Sequence, residues 1–150
     1  MHYPGLHAAL CAALLFASGG HAAAAVDPAR QSAPADGWAS QAGGTVGGAN
    51  AVESQIYTVT NRAQLLAAIQ NGGVDSKIIK LVGVLDMSEG QPYTSNADQA
   101  ARGAVRLKSN TTLIGGANAG IVNGHIILSN VSQIIIRNLK LVNPCDALYQ

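Results

Sequence analysis

Residues 125–144 read HIILSNVSQIIIRNLKLVNP and contain three short apolar runs, at 125–128, 133–137 and 139–142. The runs are rich in Ile and Val, whose branched side chains fit a pleated strand better than a helix. The polar breaks between them are too brief for a helix to form. The stretch therefore predicts three strands and two bends in about twenty residues, which is the pattern of one coil of a parallel β-helix.

Asn138 marks the bend between the second and third runs. Ile134 and Ile136 share one parity, whereas Leu139 and Leu141 restart on the opposite parity. In an uninterrupted strand such a one-residue shift would turn the second apolar set to the other face. A bend at Asn138 instead directs both apolar sets into one core.

An earlier stretch repeats this order. Residues 104–109 (AVRLKS), 112–115 (TLIG) and 120–124 (GIVNG) are strand-like runs separated by polar corners. Residues 109–112 (SNTT) match residues 129–132 (SNVS) at an offset of roughly twenty residues, as stacked coils require. A looser copy lies at residues 77–86 (KIIKLVGVLD). The predicted fold class is therefore all-β, a parallel β-helix.

The repeated asparagines are predicted to be corner residues. Asn110, Asn130 and Asn138 each stand between two runs, where a short amide side chain can hydrogen-bond nearby backbone groups. The tripeptides that begin at Asn110 and Asn130 also match the N-glycosylation sequon. We favour the structural role over glycosylation because the two residues occupy matching places in the repeat.

One helix is predicted over residues 62–71. Asn61 is a preferred N-cap, and Gln64 stands three residues later, which is the spacing of a capping box. An apolar stripe follows at Leu65, Leu66 and Ile69. We expect this helix to cover the apolar end of the first coil. Residues 90–102 are predicted to be a surface loop or a short helix.

The N-terminal part of the chain divides into three predicted segments. Residues 1–25 have the apolar run and small-residue ending of a secretory signal peptide, so we expect a secreted protein. Residues 26–36 contain two prolines and are predicted to be a flexible lead-in to the domain at residues 37–150. Residues 37–51 form a glycine-rich loop, and Trp38 is predicted to be its packed anchor.

Composition excludes some classes of function. The formal net charge of +1 gives no electrostatic footprint for nucleic acid, and the apolar run in residues 8–18 is too short to cross a membrane. Cys11 lies in the predicted signal, which leaves Cys145 as a free thiol, in an intermolecular bond, or paired with a residue outside this sequence.

The chain stops just after a third strand, although solenoids need terminal caps. The fold is therefore predicted to be incomplete at the C-terminus, the sequence being the N-terminal part of a longer protein. The alternative is a small protein whose tail covers its own end.

Four blocks of sequence resemble a known family when they are taken in order. They are GWASQAGGTVGGANA, IYTVTNRAQLLAAI, KIIKLVGVLDMS and SNTTLIGGANAGIVNGHIILSNVSQIIIRNLKLVNP. Together they are similar to the N-terminal half of the secreted pectate lyases of polysaccharide lyase family 1, from about residue 37 to the end. The resemblance implies a right-handed parallel β-helix with an N-terminal capping helix, calcium dependence, and cleavage of polygalacturonate, the de-esterified form of pectin.

The resemblance also implies the reaction. A base removes the proton at C5 of a galacturonate, the oxygen at C4 leaves, and Ca²⁺ offsets the carboxylate charge that makes this proton hard to remove. The family's base is an arginine. Its arginine and its calcium-binding aspartates lie beyond residue 150, so the resemblance assigns no catalytic or metal-binding residue to this chain. We expect residues 1–150 alone to be inactive.

Three charged residues are candidates for substrate contact. Arg137 and Lys140 flank Asn138 on outward positions, where a basic pair can meet an acidic polysaccharide, and Asp146 lies near the start of the family's cleft. Each has a plainer role as well, since outward Lys and Arg are usually solvated and an Asp often caps a turn. His125 is not predicted to bind a metal, because the predicted mature chain has no second histidine.

Two other functions fit the same sequence. One is a non-catalytic β-helix that binds polysaccharide through outward Arg and Lys residues. The other is a pectin lyase, which acts on methyl-esterified chains without calcium. In each case the predicted partner is polygalacturonate or pectin, and the protein is expected to be a monomer.

Overall fold

The structure, a computed structural model, describes residues 26–143. Within that range lie helices α1 (Arg62–Gln70) and α2 (Asn96–Arg102) and the 3-10 helices Pro28–Arg30, Trp38–Gly43 and Glu53–Gln55. The strands are β1 (Ile56–Val59), β2 (Lys77–Leu81), β3 (Val84–Asp86), β4 (Ala104–Arg106), β5 (Thr111–Gly115), β6 (Gly120–Val122), β7 (His125–Ile127), β8 (Ile134–Arg137) and β9 (Lys140–Val142). No helix in this range is both long enough and apolar enough to span a bilayer.

The strands form three parallel sheets. The sheet orders are β1-β2-β5-β8, β3-β6-β9 and β4-β7, and every pair is parallel. The chain therefore contributes strands to the three sheets in turn, and each coil stacks on the one before. This topology is the predicted parallel β-helix.

The core runs along the inside of the coils. The strand register aligns a column of inward side chains from successive coils, and these are Tyr57, Ile79, Leu113 and Ile136. Ile79 and Leu113 have no exposed surface. Leu65 and Ile69 of α1 belong to the same buried cluster, so the helix covers the core at its N-terminal end. Ile136 is 36% exposed because its coil is the last one that the structure describes.

The bend at Asn138 agrees with the prediction. Asn138 adopts a left-handed conformation with a φ of 48°, and its Nδ2 donates to the carbonyl oxygen of Gly115 at 2.8 Å. Asn110 is also left-handed, and its Nδ2 donates to the carbonyl oxygen of Val74 at 2.8 Å. Asn130 shares the conformation with a φ of 55°. Asparagine tolerates this region better than most residues, which explains its recurrence at the corners.

The predicted match between Asn110 and Asn130 is wrong in register. Thr111 pairs with Ile134, so Asn110 corresponds to Gln133, which is also left-handed with a φ of 59°. The cause is the turn at residues 128–133, which is longer than the corresponding turn at residues 107–110. Similar tetrapeptides at the two corners therefore do not occupy equivalent places.

The capping box of α1 is present. The Oδ1 of Asn61 accepts a hydrogen bond from the backbone N–H of Gln64 at 2.9 Å. In return, the Oε1 of Gln64 accepts from the backbone N–H of Thr60 at 2.9 Å, one residue earlier than in the predicted arrangement. These two bonds satisfy backbone donors at the start of the helix and fix where it begins.

Residues 26–36 are not a flexible lead-in. Ala29 is only 1% exposed, and Arg30 donates to the carbonyl oxygen of Ala51 at 2.8 Å. Asp27 forms an ion pair with Lys80 of β2 at 2.9 Å. Proline-containing composition predicted flexibility, but these long-range contacts hold the segment against the outer face of the β1-β2-β5-β8 sheet.

Trp38 is not the anchor of the glycine-rich loop, because its side chain is 93% exposed. The loop is anchored at Gly48 instead. The backbone N–H of Gly48 donates to the Oγ1 of Thr112 at 2.8 Å, and a Cβ at Gly48 would lie 2.0 Å from the carbonyl oxygen of Lys77. Backbone packing against the sheet thus takes the place of an aromatic anchor.

Candidate functional site

Arg137 and Lys140 do not form a basic pair. Arg137 lies on β8, and its Nη1 donates to the carbonyl oxygen of Pro28 at 3.1 Å while its Nη2 donates to that of Ser32 at 2.6 Å. Lys140 lies on β9, in a different sheet, since the bend at Asn138 separates the two strands. Arg137 therefore holds the N-terminal segment, and its guanidinium is not free to meet a ligand.

Lys140 remains accessible. It is exposed, and its side chain has no hydrogen bond or ion pair to another residue within 26–143. It lines an open depression of about 600 Å³ together with Val84, Asn118, Ala119, Asn138 and Leu139. The ammonium group is thus available to an anion on the outer face of the β3-β6-β9 sheet. Asp146 and Cys145 lie outside the described residues, as does the predicted signal peptide.

A second accessible cation, Arg106, lies on the outer face of the β4-β7 sheet. Val105 is fully buried and its partner Ile126 packs against the core, so by alternation Arg106 and His125 face outward. Arg106 is exposed and has no side-chain partner in the part of the chain that the structure describes. In the sequence, the alternation of Val105, Arg106 and Leu107 indicates that Arg106 faces outward. Arg106 is nevertheless not among the candidate contact residues predicted from the sequence.

A fixed loop borders this face. Residues 87–103 connect β3 to β4, and the carbonyl oxygen of Gly103 accepts from the backbone N–H of His125 at 2.9 Å. Within the loop, Arg102 donates to Asp98 at 2.7 Å and to the carbonyl oxygen of Pro92 at 2.9 Å. Its guanidinium also lies 4.5 Å from the centre of the Tyr93 ring. Arg102 therefore links Asp98, Pro92 and Tyr93 within the loop.

Asp98 and Arg102 in this loop stabilise each other's charged form. The hydrogen bond from Arg102, with a further one from the backbone of Thr94, holds the pKa of Asp98 well below its usual range. The same bond raises the pKa of Arg102. Burial raises the pKa of the Tyr93 hydroxyl, which donates to the carbonyl oxygen of Asn123. These groups keep their charge states near neutral pH and act as structural contacts.

Both carboxylate oxygens of Asp86, at the base of the loop, accept hydrogen bonds from neighbouring residues. Its Oδ1 accepts from Ser88 N at 2.9 Å, Ser88 Oγ at 2.7 Å and Asn123 Nδ2 at 2.9 Å, and its Oδ2 accepts from Gly90 N at 3.3 Å. Burial alone would raise the pKa of Asp86, but the hydrogen bonds from Asn123 and Ser88 outweigh it and lower the pKa. Its oxygens are thus occupied by neighbouring donors.

The described residues do not fit a calcium site. Ca²⁺ takes six to eight oxygen ligands, yet Asp27, Glu53, Glu89 and Asp98 form ion pairs with Lys80, Arg30, Arg62 and Arg102. Residues 26–143 contain no cluster of three or more His, Cys, Asp or Glu side chains that could hold a metal ion. We therefore assign no catalytic step through calcium to these residues.

The stacked coils and the capping helix define the protein as a parallel β-helix solenoid. The sequence model of one family of such proteins, described as pectate lyase, matches residues 4–150. The chain therefore belongs to the pectate lyase family.

Individual relatives agree with this placement. The chain is 44% identical over 137 residues to pectate lyase A of Dickeya chrysanthemi, an alignment that covers 88% of this chain and 35% of the relative. A solved thermostable pectate lyase superposes with a TM-score of 0.68 at 27% identity, over 77% of this chain and 39% of that one. A pectate lyase bound to a hexasaccharide gives 0.65 at 26% identity, over 77% and 40%. The chain thus spans about a third of the length of the curated relative.

Proposed function

We propose that this protein is a secreted lyase that cleaves polygalacturonate by β-elimination. The observation that carries the proposal is the family match over residues 4–150, on a chain that forms the same β-helix as solved pectate lyases. In the proposed reaction the C5 proton of a galacturonate is removed, and the bond between C4 of the same galacturonate and the glycosidic oxygen breaks. This oxygen leaves with the adjoining sugar. The product carries a new double bond between C4 and C5.

The described residues are proposed to supply scaffold and substrate contact rather than the chemistry. Internal partners hold the carboxylates of Asp27, Glu53, Asp86, Glu89 and Asp98, and residues 26–143 contain no cluster of side chains that could hold a metal ion. We propose calcium dependence, as the family resemblance implies, with the metal ligands and the base outside this range. Under this proposal removal of calcium by a chelator abolishes cleavage by the active protein.

The outer face of the β4-β7 sheet is the proposed substrate-facing surface of this chain. Arg106 is exposed there without a side-chain partner among residues 26–143, and the fixed loop at residues 87–103 borders it. Polygalacturonate carries one carboxylate on each sugar, and a guanidinium can bind a carboxylate through two parallel hydrogen bonds. Lys140 is proposed as a further contact on the neighbouring sheet, and Asp146 remains a predicted contact.

Calorimetric titration of the chain with polygalacturonate tests this surface. Arg106→Ala should weaken binding by about threefold to tenfold, as expected for the loss of one accessible charge contact. Lys80→Ala is the matched control, since it removes one positive charge that Asp27 already neutralises. Equal affinity of the two variants would exclude Arg106 as a contact. Binding should also weaken as salt is added, because exposed charges are screened.

Secretion is tested separately. If residues 1–25 are a signal peptide, the protein recovered from the culture medium begins near residue 26. Retention of the uncleaved N-terminus inside the cell would contradict this part of the proposal.

A further inference from the structure

Trp38 is the only tryptophan in the sequence, and 93% of its side chain is exposed. It lines an open depression of about 380 Å³ with Asp36, Gly37 and Gln41. The indole is thus a large flat apolar surface that lies beside one carboxylate and one amide. The contacts at the candidate site and the core packing do not use it.

The 3-10 helix Trp38–Gly43 is held in place by hydrogen bonds. Ser40 donates from its backbone N–H and from Oγ to the carbonyl oxygen of Gly37, at 3.0 and 2.6 Å. Just after this helix, the backbone N–H of Thr45 donates to the carbonyl oxygen of Ala39 at 2.6 Å. The backbone N–H of Val46 donates to the Oε1 of Gln133 at 2.7 Å. These bonds hold the backbone around Trp38 on the β-helix before any ligand arrives, which lowers the entropic cost of binding.

The chemistry of the depression suits a neutral sugar. One face of a pyranose ring is lined with C–H groups and can stack on an aromatic surface, while its hydroxyls donate to a carboxylate or an amide oxygen. Asp36 has no ion-pair partner among the described residues, and the residues that line the depression include no cation. A uronate would therefore place its carboxylate near an unneutralised carboxylate of the protein, which is unfavourable.

We propose that Trp38, Asp36 and Gln41 form an auxiliary binding site for a neutral pyranose residue. Its ligand class differs from the acidic chain that the Arg106 face is proposed to contact. The site does not rest on the proposed lyase activity, since its residues lie on the N-terminal segment and its ligand carries no charge.

Fluorescence of the single tryptophan tests the proposal on the whole chain. The emission of the free chain should be that of a water-exposed indole. A β-1,4-galactan oligosaccharide should shift or quench this emission saturably, whereas an oligogalacturonate of the same length should not. In calorimetry, Trp38→Ala should raise the dissociation constant for the galactan oligosaccharide about tenfold or more. Trp38→Phe should retain part of the affinity.

Two further variants separate a sugar site from a general effect on the fold. Asp36→Asn should reduce the preference for the neutral ligand over the uronate by about tenfold, because it removes the repelling charge. Val52→Ala shortens a side chain that is 59% exposed and follows the glycine-rich loop, outside the depression, so this variant should bind as the unmodified chain does. Arg106→Ala should leave galactan binding unchanged, which keeps this test independent of the proposed function.

Several results would overturn the proposal. An emission spectrum typical of a buried indole would mean that another segment covers Trp38. The lack of a saturable response to the galactan oligosaccharide would also contradict the site, as would a preference for the oligogalacturonate.

Discussion

The Nη2 of Arg137 donates to the carbonyl oxygen of Ser32 at 2.6 Å, across a sequence separation of 105 residues. The same guanidinium donates to the carbonyl oxygen of Pro28 at 3.1 Å. These bonds tie β8, the last strand of the β1-β2-β5-β8 sheet, to the segment that precedes β1. Arg137 is therefore a structural tie for the N-terminal segment.

Replacement of Arg137 by Ala should loosen residues 27–33. The lost hydrogen bonds are partly exposed, so we expect the free energy of unfolding to fall by about 1 kcal/mol. Hydrogen exchange and limited proteolysis should increase within residues 27–33 and not in α1. Lys140→Ala is the control, because Lys140 is exposed and its side chain makes no hydrogen bond or ion pair to the described residues. Unchanged protection of residues 27–33 in the Arg137 variant would contradict the assigned role.

Lys77 is fully buried, and its ammonium group caps the C-terminal end of α1. Its Nζ donates to the carbonyl oxygens of Ile69 and Gly73, both at 3.0 Å, and to that of Asn71. Lys77→Met would leave these helix-end carbonyls without their donor, so we expect a loss of about 3 kcal/mol in chemical denaturation. Lys80→Met on the same strand is the control and should cost less than about 1 kcal/mol, since its ion pair is partly exposed.

The ionisation of Lys77 gives a pH prediction. Burial lowers the pKa of Lys77 below the ordinary value of 10.5, with a smaller effect in the same direction from Lys108 and an opposing one from Asp75. The unfolded chain thus binds this proton more tightly than the folded chain does. As pH rises from the folded-state pKa to 10.5, the Lys77 contribution to stability should become more favourable. The stability difference between the unmodified chain and Lys77→Met should widen over this interval, and a constant difference would argue against burial as the cause.

Gly48 is required by close packing. A Cβ at this position would lie 2.0 Å from the carbonyl oxygen of Lys77, which belongs to the backbone and cannot rotate away. Gly48→Ala should therefore destabilise the chain by about 1 to 3 kcal/mol in thermal or chemical unfolding. Gly37→Ala is the matched control, because a Cβ there meets nothing within 4 Å. Equal effects of the two substitutions would show that the loop does not pack as described.

Asp98 should stabilise the loop at residues 87–103 in a pH-dependent way. Its pKa is lowered below the ordinary value of 3.8 by Arg102, so its contribution is present above that value and is lost as pH falls through the folded-state pKa. Asp98→Asn should be less stable than the unmodified chain at pH 7, and the gap should close in acid.

Local features of the fold could be predicted from the sequence. The bend at Asn138 follows from a change of parity within a few residues, and the cap at Asn61 follows from a short spacing rule. The stacking register could not be predicted in the same way. Similar corner sequences suggested that Asn130 matches Asn110, whereas the length of the turn before β8 decides that Gln133 does.

Contacts between segments that are far apart in the sequence could not be predicted either. Arg137 was predicted to lie on an outward position, and it does lie on the outer face, but residues 28–32 contact its guanidinium there. Trp38 was predicted to be the packed anchor of the glycine-rich loop, whereas its side chain is exposed and backbone contacts at Gly48 hold the loop. Arg106 was detectable from alternation within its strand. Its lack of a partner among the described residues required the structure.

The most direct test measures the ultraviolet absorbance of the unsaturated product when the purified chain is incubated with polygalacturonate. The assay is run with calcium and with a chelator, and circular dichroism verifies that the chain is folded. We predict a folded chain that binds polygalacturonate but releases no unsaturated product, because the family resemblance implies metal ligands and a base beyond residue 150. Calcium-dependent product from the folded chain would contradict this account and would place the metal ligands and the base within these 150 residues.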